Sequence, residues 1–141
     1  MGEVSKEVDI EVAVATEPFL VAELYAQFIK NESDATGTVV MHHGRVKYPG
    51  KVLPDFRVVS LDALVGDVCE GLRTIGVDAA WNFSLHRIFI LHRLGIVERG
   101  GDVLLVICSA ATRSDAFAAC AWIVDEVKKE RLIALRELPS K

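Results

Sequence analysis

No apolar run in this chain reaches the roughly 18–20 residues that a membrane-spanning helix needs, which excludes a transmembrane helix. The opening segment, MGEVSKEVDIEV, has charges where a secretory signal would have its apolar centre, so a cytoplasmic protein is expected. Positive charge is not in excess either. Sixteen Lys and Arg stand against twenty Asp and Glu, giving a net charge of −4 and a pI near 5.5, without the basic footprint of a general nucleic-acid binder. Cysteine is scarce: Cys69, Cys108 and Cys120 form an odd set in apolar surroundings, which suits buried thiols in a reducing compartment better than a disulfide framework. There is no internal repeat and no linker. With 51% hydrophobic and 26% charged residues over 141 positions, one globular domain, 1–141, is expected.

Several catalytic motifs are missing as well. Gly44–Lys51 suggests a phosphate loop, but the spacing to Gly50-Lys51 is one residue too long and Val52 stands where Ser or Thr would hold magnesium. Pro54 further opposes a helix starting there. His42 and His43 are adjacent on a strand and point to opposite faces, while His86 and His92 share a face but lie roughly 20 Å apart. With no convergent Cys or His pair, no metal site is expected. Ser109 and Ser114 lack both a neighbouring histidine and a nucleophile elbow.

What is present is an alternation of short strands and helices. Glu7–Ala15 alternates charged and apolar residues as a half-buried strand does, and Thr16-Glu17-Pro18 reads as the capped start of a helix over Phe19–Lys30. Gly37–His43 is a strand, Gly44–Phe56 a mobile surface loop, and Arg57–Leu61 a strand. Leu64–Ile75 reads as a helix with Val65, Val68, Cys69 and Leu72 inward. A strand over Trp81–His92 continues past a glycine into Leu94–Val97, turns at Arg99–Asp102 and returns as Val103–Cys108. A long helix follows, with Ser114 as its N-cap, Asp115 in its first turn, and Phe117, Cys120, Ile123, Val124 and Val127 on one apolar face. Arg131–Lys141 is a tail without periodicity. The order β-α-β-β-α-β-β-α, joined by hairpins, predicts an α+β fold with three helices and a mixed or antiparallel sheet.

A set of cations near loops remains: Arg45, Lys47, Lys51, Arg113, Lys128, Lys129, Arg131 and Arg136. Arg113 stands out, because a strand-to-helix turn offers free backbone N–H groups beside its guanidinium and so suits an anion. Arg113 and Lys128 are fifteen positions apart, roughly 22 Å along one helix, and cannot meet one small substrate within a single chain.

Taken together, GTVVMHHGRVK (37–47), RIFILHRLG (87–95), the Gly101-Asp102 turn, TRSDAFAACAWIVDEVK (112–128) and the Glu17-Pro18-Phe19 helix start resemble the large, catalytic subunit family of molybdopterin synthase, in order and in spacing. The resemblance implies an α/β-hammerhead-type fold and a cytoplasmic homodimer that binds a small ubiquitin-like sulfur carrier at each end. It also implies sulfur transfer from the carrier's C-terminal thiocarboxylate to cyclic pyranopterin monophosphate, forming the molybdopterin dithiolene without a metal or organic cofactor. Lys128 falls on the family's first active-site lysine, a catalytic position. Arg45, Lys47, Thr112, Arg113 and Arg136 are the substrate-binding candidates. Thr112 stands at the family's histidine and Leu135 at its second lysine, with Arg136 and Glu137 after it. An alternative follows from those two changes: a divergent paralogue that binds the carrier or a pterin without turnover.

Overall fold

The computed structural model describes residues 8–139. Residues 1–7 and 140–141, which include the first residue of the predicted N-terminal strand and the end of the predicted tail, lie outside the described residues. Strands β1 (Asp9–Ala15), β2 (Thr38–Arg45), β4 (Arg87–Arg93) and β6 (Asp102–Ala110) form one sheet in the order β1-β4-β6-β2. β1 runs parallel to β4, and the other pairs are antiparallel. A second, antiparallel sheet has the order β5-β3-β7, from Gly95–Glu98, Val58–Ala63 and Ile133–Leu138. The chain crosses between the sheets at Leu94–Gly95, where a left-handed φ of 99° calls for glycine. This is a hammerhead-like α+β arrangement with three helices, α1 (Val21–Lys30), α2 (Val68–Asn82) and α3 (Arg113–Val127).

Alternation along the strands sorts the core into two layers. Phe89, Leu91, Leu105 and Ile107 face α1 through Phe19, Leu24 and Phe28. Ile88, Ile90, Val106 and Cys108 face the opposite way, toward α2 and α3. α3 lies against β6 and β2, and α2 against β1. Ala116 and Ala119, both fully buried, let α3 approach the sheet closely.

Several expectations are corrected. The α3 cap is Thr112, not Ser114: its Oγ1 accepts the Asp115 N–H at 3.3 Å. Phe117 lies off the buried face and is 61% exposed, the small Ala116 and Ala119 packing in its place. α2 begins only at Val68, because the Asp67 carboxylate accepts the Glu70 N–H and caps it there, leaving Leu64 and Val65 exposed in the preceding turn. It then continues through Trp81, which is helical and exposed. Gly76 does not stop it, because a Cβ there would come within 2.8 Å of Ile10 on β1, so the glycine serves a close approach. α1 starts at Val21 with no side-chain cap. Thr16 is displaced from that role because the Phe19 N–H is held by Asp102 instead. The tail is not irregular: Ile133–Leu138 is β7, paired along β3 from Ala63↔Ile133 to Val58↔Leu138. Gly44–Phe56 is tied down, with Gly44 and Arg45 inside β2, Phe56 wholly buried and Lys51–Leu53 bound to Glu137. Cys108 and Cys120 are buried, while Cys69 is only half-buried.

Candidate active site

β2 and β6 are antiparallel, and α3 follows β6 after two residues, so α3 returns in the direction of β2. Its start therefore sits over the start of β2, where a Cβ on Gly37 would meet the Ala111 carbonyl at 2.3 Å. Its end lies over the far half of β2, where Lys128 is near enough to His42 to disfavour the charged imidazole. The end of β2, with Arg45 and then Lys47, and the end of α3, with Lys128, thus lie toward the same end of the layer.

Lys128 is the C-cap of α3, and its backbone N–H reaches the Val124 carbonyl at 3.0 Å. Its side chain is exposed. Among the described residues it joins no ion pair, whereas its neighbours Lys129 and Arg131 both pair with Glu126. Lys47 and Arg113 are likewise exposed and without a carboxylate partner among the described residues. Arg45 donates from Nε to the Gly100 carbonyl at 3.0 Å, and its guanidinium lies over that glycine, whose φ is +78°. The hairpin turn thus fixes the direction in which Arg45 leaves the sheet.

Arg113 and Thr112 stand at the opposite end of α3 from Lys128, so the structure does not bring these candidates together within one chain. Arg136 is also apart. It sits opposite Ser60 on β7, with its guanidinium 3.5 Å from Asp62. Leu135 is on the other face of β7, in register with Leu61 and 37% exposed. Its backbone N–H is bound by Glu130, two residues past Lys128.

The supports of this end are polar and mostly distant in sequence. Asp102 accepts the Phe19 N–H on Oδ2 and pairs with His43 Nε2 through Oδ1, both at 2.6 Å. Partial burial pushes its carboxyl up, but the bonds from Phe19 and His43 and the nearby Arg93 outweigh that and hold it below the usual range. The helix start at Pro18-Phe19 and the turn at Gly101-Asp102 are therefore joined physically. At the opposite end of the sheet Glu32 is similar: burial raises its pKa, while Thr36, Ser109 and Arg87 lower it more. Ser109 Oγ is wholly buried and makes no well-formed hydrogen bond, though it lies close enough to Glu32 to contribute.

The remaining histidines are structural. His86 Nδ1 meets the Thr36 hydroxyl at 2.7 Å. His92 meets the Arg93 carbonyl at 2.8 Å, and burial keeps its pKa low. In sequence, His42 is only half of a divergent pair. It does point away from His43, toward α3, and so reaches the Lys128 end. The signal was the alternation Val40-His42-Gly44. No group of three His, Cys, Asp or Glu side chains gathers among the described residues. Two cavities, of about 330 and 390 Å³, are lined by Phe28 and Arg87 and by Arg93 and Asp102 respectively. Lys128 lines neither.

Chemically, this end offers exposed cations, one of them at a helix terminus, and suits an anionic group. A family model described as "MoaE protein" matches residues 14–130. The molybdopterin synthase catalytic subunit of Pyrococcus abyssi is 35% identical over 108 residues, 75% of this chain and 71% of that one. The Vibrio cholerae catalytic subunit is 32% identical over 131 residues, 92% and 85% of the two chains. In fold, the chain is similar to molybdopterin synthase from Staphylococcus aureus, with a TM-score of 0.78 at 22% identity over 91% and 90% of the chains. It is also similar to a chain in a complex of subunits 1 and 2 of molybdopterin-converting factor from Helicobacter pylori, with a TM-score of 0.67 at 14% identity over 95% and 90%.

Proposed function

The chain belongs to the MoaE family, and on that premise we propose that it is the sulfur-transferring subunit of a molybdopterin synthase. It takes sulfur from the C-terminal thiocarboxylate of a small ubiquitin-like carrier and places it on cyclic pyranopterin monophosphate, forming the dithiolene. The observation that carries this reading is Lys128, exposed at the end of α3, without an ion-pair partner among the described residues and toward the same end of the layer as Arg45 and Lys47. Thiocarboxylate, substrate phosphate and tetrahedral intermediate are all anionic, and unneutralised cations are what such a site needs. Lys128 acts at the thiocarboxylate carbonyl, as oxyanion stabiliser or transient acceptor. Lys47 and Arg45 hold the phosphate, and as proposed the transfer uses no cofactor.

Arg113 enters from a second protomer. It stands roughly 22 Å along the helix from Lys128, so a pocket that uses both is composite across a homodimer. Lys128 lines neither of the two cavities described above, in keeping with a site completed by other chains.

Two observations favour a second reading, carrier or pterin binding without turnover. The Thr112 hydroxyl is engaged in capping α3, and Leu135 brings no charge. One assay separates the two. The protein is mixed with thiocarboxylated carrier and cyclic pyranopterin monophosphate, and dithiolene product is followed for the native chain and Lys128→Ala. Product that falls by about a hundredfold or more in the variant supports the enzyme. Carrier binding with no product from the native chain supports the second reading.

A further inference from the structure

Arg93 closes β4, just before the chain crosses to the smaller sheet, and it is only 8% exposed. Its Nε is shut off from solvent with no hydrogen-bond partner, and among the described residues its guanidinium joins no ion pair. Two other arginines are held. Arg87 donates to the Phe28 carbonyl and to Glu32 and lies over the Phe28 ring, and Arg99 donates to the Phe56 carbonyl and lies over the Tyr48 ring. A buried guanidinium without a counter-ion is costly, so Arg93 calls for a reason.

Arg93 lines the cavity of about 390 Å³ that lies where the two sheets meet. A volume of this size falls within the range of small-molecule pockets, about 300–1,000 Å³. Pro18, Val58, Ile96 and Val97 give it apolar walls. Two carboxylates also border it, and neither neutralises Arg93. Asp102 spends Oδ1 on His43 and Oδ2 on the Phe19 N–H. Glu98 is exposed and forms no ion pair among the described residues. The cavity is separate from the Lys128 end, because Arg93 follows Phe89 and Leu91 along β4 onto the α1 face, whereas α3 packs on the opposite face.

We propose that the Arg93 cavity is a binding site for a small carboxylic acid, with its carboxylate on the guanidinium and its hydrocarbon part against Pro18, Val58 and Ile96. A guanidinium presents parallel N–H donors that match the two oxygens of a carboxylate. A single positive charge, with Asp102 and Glu98 close by, favours a monoanion over a phosphate dianion. The apolar walls call for a carbon skeleton rather than a bare oxoanion. The inference stands apart from the function proposed above, since it uses none of that site's residues.

The test uses the full chain with sodium butyrate as the probe, butyramide as its uncharged isostere and sodium chloride at equal ionic strength. The Arg93 Nε–H resonance is followed by heteronuclear NMR. It is expected to shift saturably with butyrate and not with butyramide or chloride, while the resonances of Arg87 and Arg99 stay in place. Butyrate is also expected to raise the Tm of the native chain and not that of Arg93→Gln. Arg93→Lys, which keeps the charge without the fork, should bind butyrate at least about tenfold more weakly. Should either variant fail to fold, the titration of the native chain decides by itself. No saturable shift with butyrate, or an equal shift with butyramide, overturns the proposal. So does an Arg93 resonance that Glu98→Gln moves as far as butyrate does, since Glu98 is then the partner. A resonance that ignores butyrate but moves on dilution of the native chain, in step with its elution in size exclusion, assigns the carboxylate to a second copy and overturns the small-molecule ligand.

Discussion

Glu130 accepts the backbone N–H of Leu135 on Oε2 at 3.1 Å, folding the chain back immediately after Lys128. Glu130 itself has a φ of 56°, a left-handed conformation that costs a non-glycine residue about 1–2 kcal/mol. That turn stops α3, and the side-chain bond to Leu135 helps offset its cost. Together they place the start of β7 beside the end of the helix and set position 135 in the neighbourhood of position 128.

This arrangement makes Leu135→Lys a gain-of-charge test. The residue is 37% exposed, so the change is expected to alter stability by no more than about 0.5 kcal/mol. A second cation near an anionic site is expected to raise dithiolene formation by roughly tenfold, which corresponds to about 1.4 kcal/mol of transition-state stabilisation. Single-turnover rates and thermal melts of the two proteins check it. A rate equal to or below the native one, with an unchanged Tm, removes position 135 from the site.

The composite pocket predicts complementation. Lys128→Ala and Arg113→Ala chains are each expected to be inactive alone. Mixed and allowed to exchange, half of the dimers pair one of each, and each mixed dimer has one intact site. About a quarter of the native rate should return. No recovery in a mixture shown by mass spectrometry to contain mixed dimers overturns the composite pocket.

Asp102 predicts a defined acid window. Its folded-state pKa is depressed, so its bonds to Phe19 and His43 stabilise the protein above the unfolded value near 4 and that stabilisation is lost as pH falls through the folded value. Asp102→Asn is expected to cost about 1–3 kcal/mol at pH 7, seen as a Tm lower by roughly 3–10 °C. The gap between the two proteins should close toward pH 3. Melts across pH 3–7 that keep a constant gap would show that the carboxylate's charge is irrelevant.

The strands of the larger sheet are legible because β1 alternates charged and apolar residues, while β4 and β6 are apolar runs of strand length followed by turn residues or a capped helix, and both are local properties. β7 is not, because Leu132–Leu135 is a continuous apolar run whose pairing with β3 is set across more than seventy residues. The α2 start was misread for a similar reason. Leu64 and Val65 look like a helix face until the Asp67 carboxylate claims the Glu70 N–H. At the site, the exposed end of α3 could be read, and with it Lys128. The burial of the His42 ring could not be read, since it is set by α3 on another element and by the missing side chain of Gly44. Local pattern reports which face a residue takes; it does not report what stands opposite.

Glu137 carries the last prediction, and it concerns how Lys47 is presented. Its Oε2 accepts the Lys51 N–H at 2.7 Å, and its Oε1 accepts those of Val52 and Leu53 at 2.8 and 2.6 Å. The bonds from Leu53 and Lys51 hold the carboxyl below its usual range, with burial acting weakly the other way. Gly50 is required beside it, because a Cβ there would meet Glu137 Oε1 at 2.6 Å and the Leu53 carbonyl at 2.3 Å. One carboxylate from β7 thus closes a loop whose other anchor is the buried Phe56. Glu137→Ala removes both acceptor oxygens and with them all three bonds, so the amides of 51–53 are expected to exchange with solvent at least about tenfold faster while Phe56 stays protected. Glu137→Gln, which keeps one carbonyl acceptor, should fall between. In the native chain the same protection should disappear as pH drops through the depressed Glu137 value, because the neutral acid is a weaker acceptor. Unchanged exchange at 51–53 in Glu137→Ala would mean the loop holds its shape through Phe56 alone, and that Lys47 needs no help from β7.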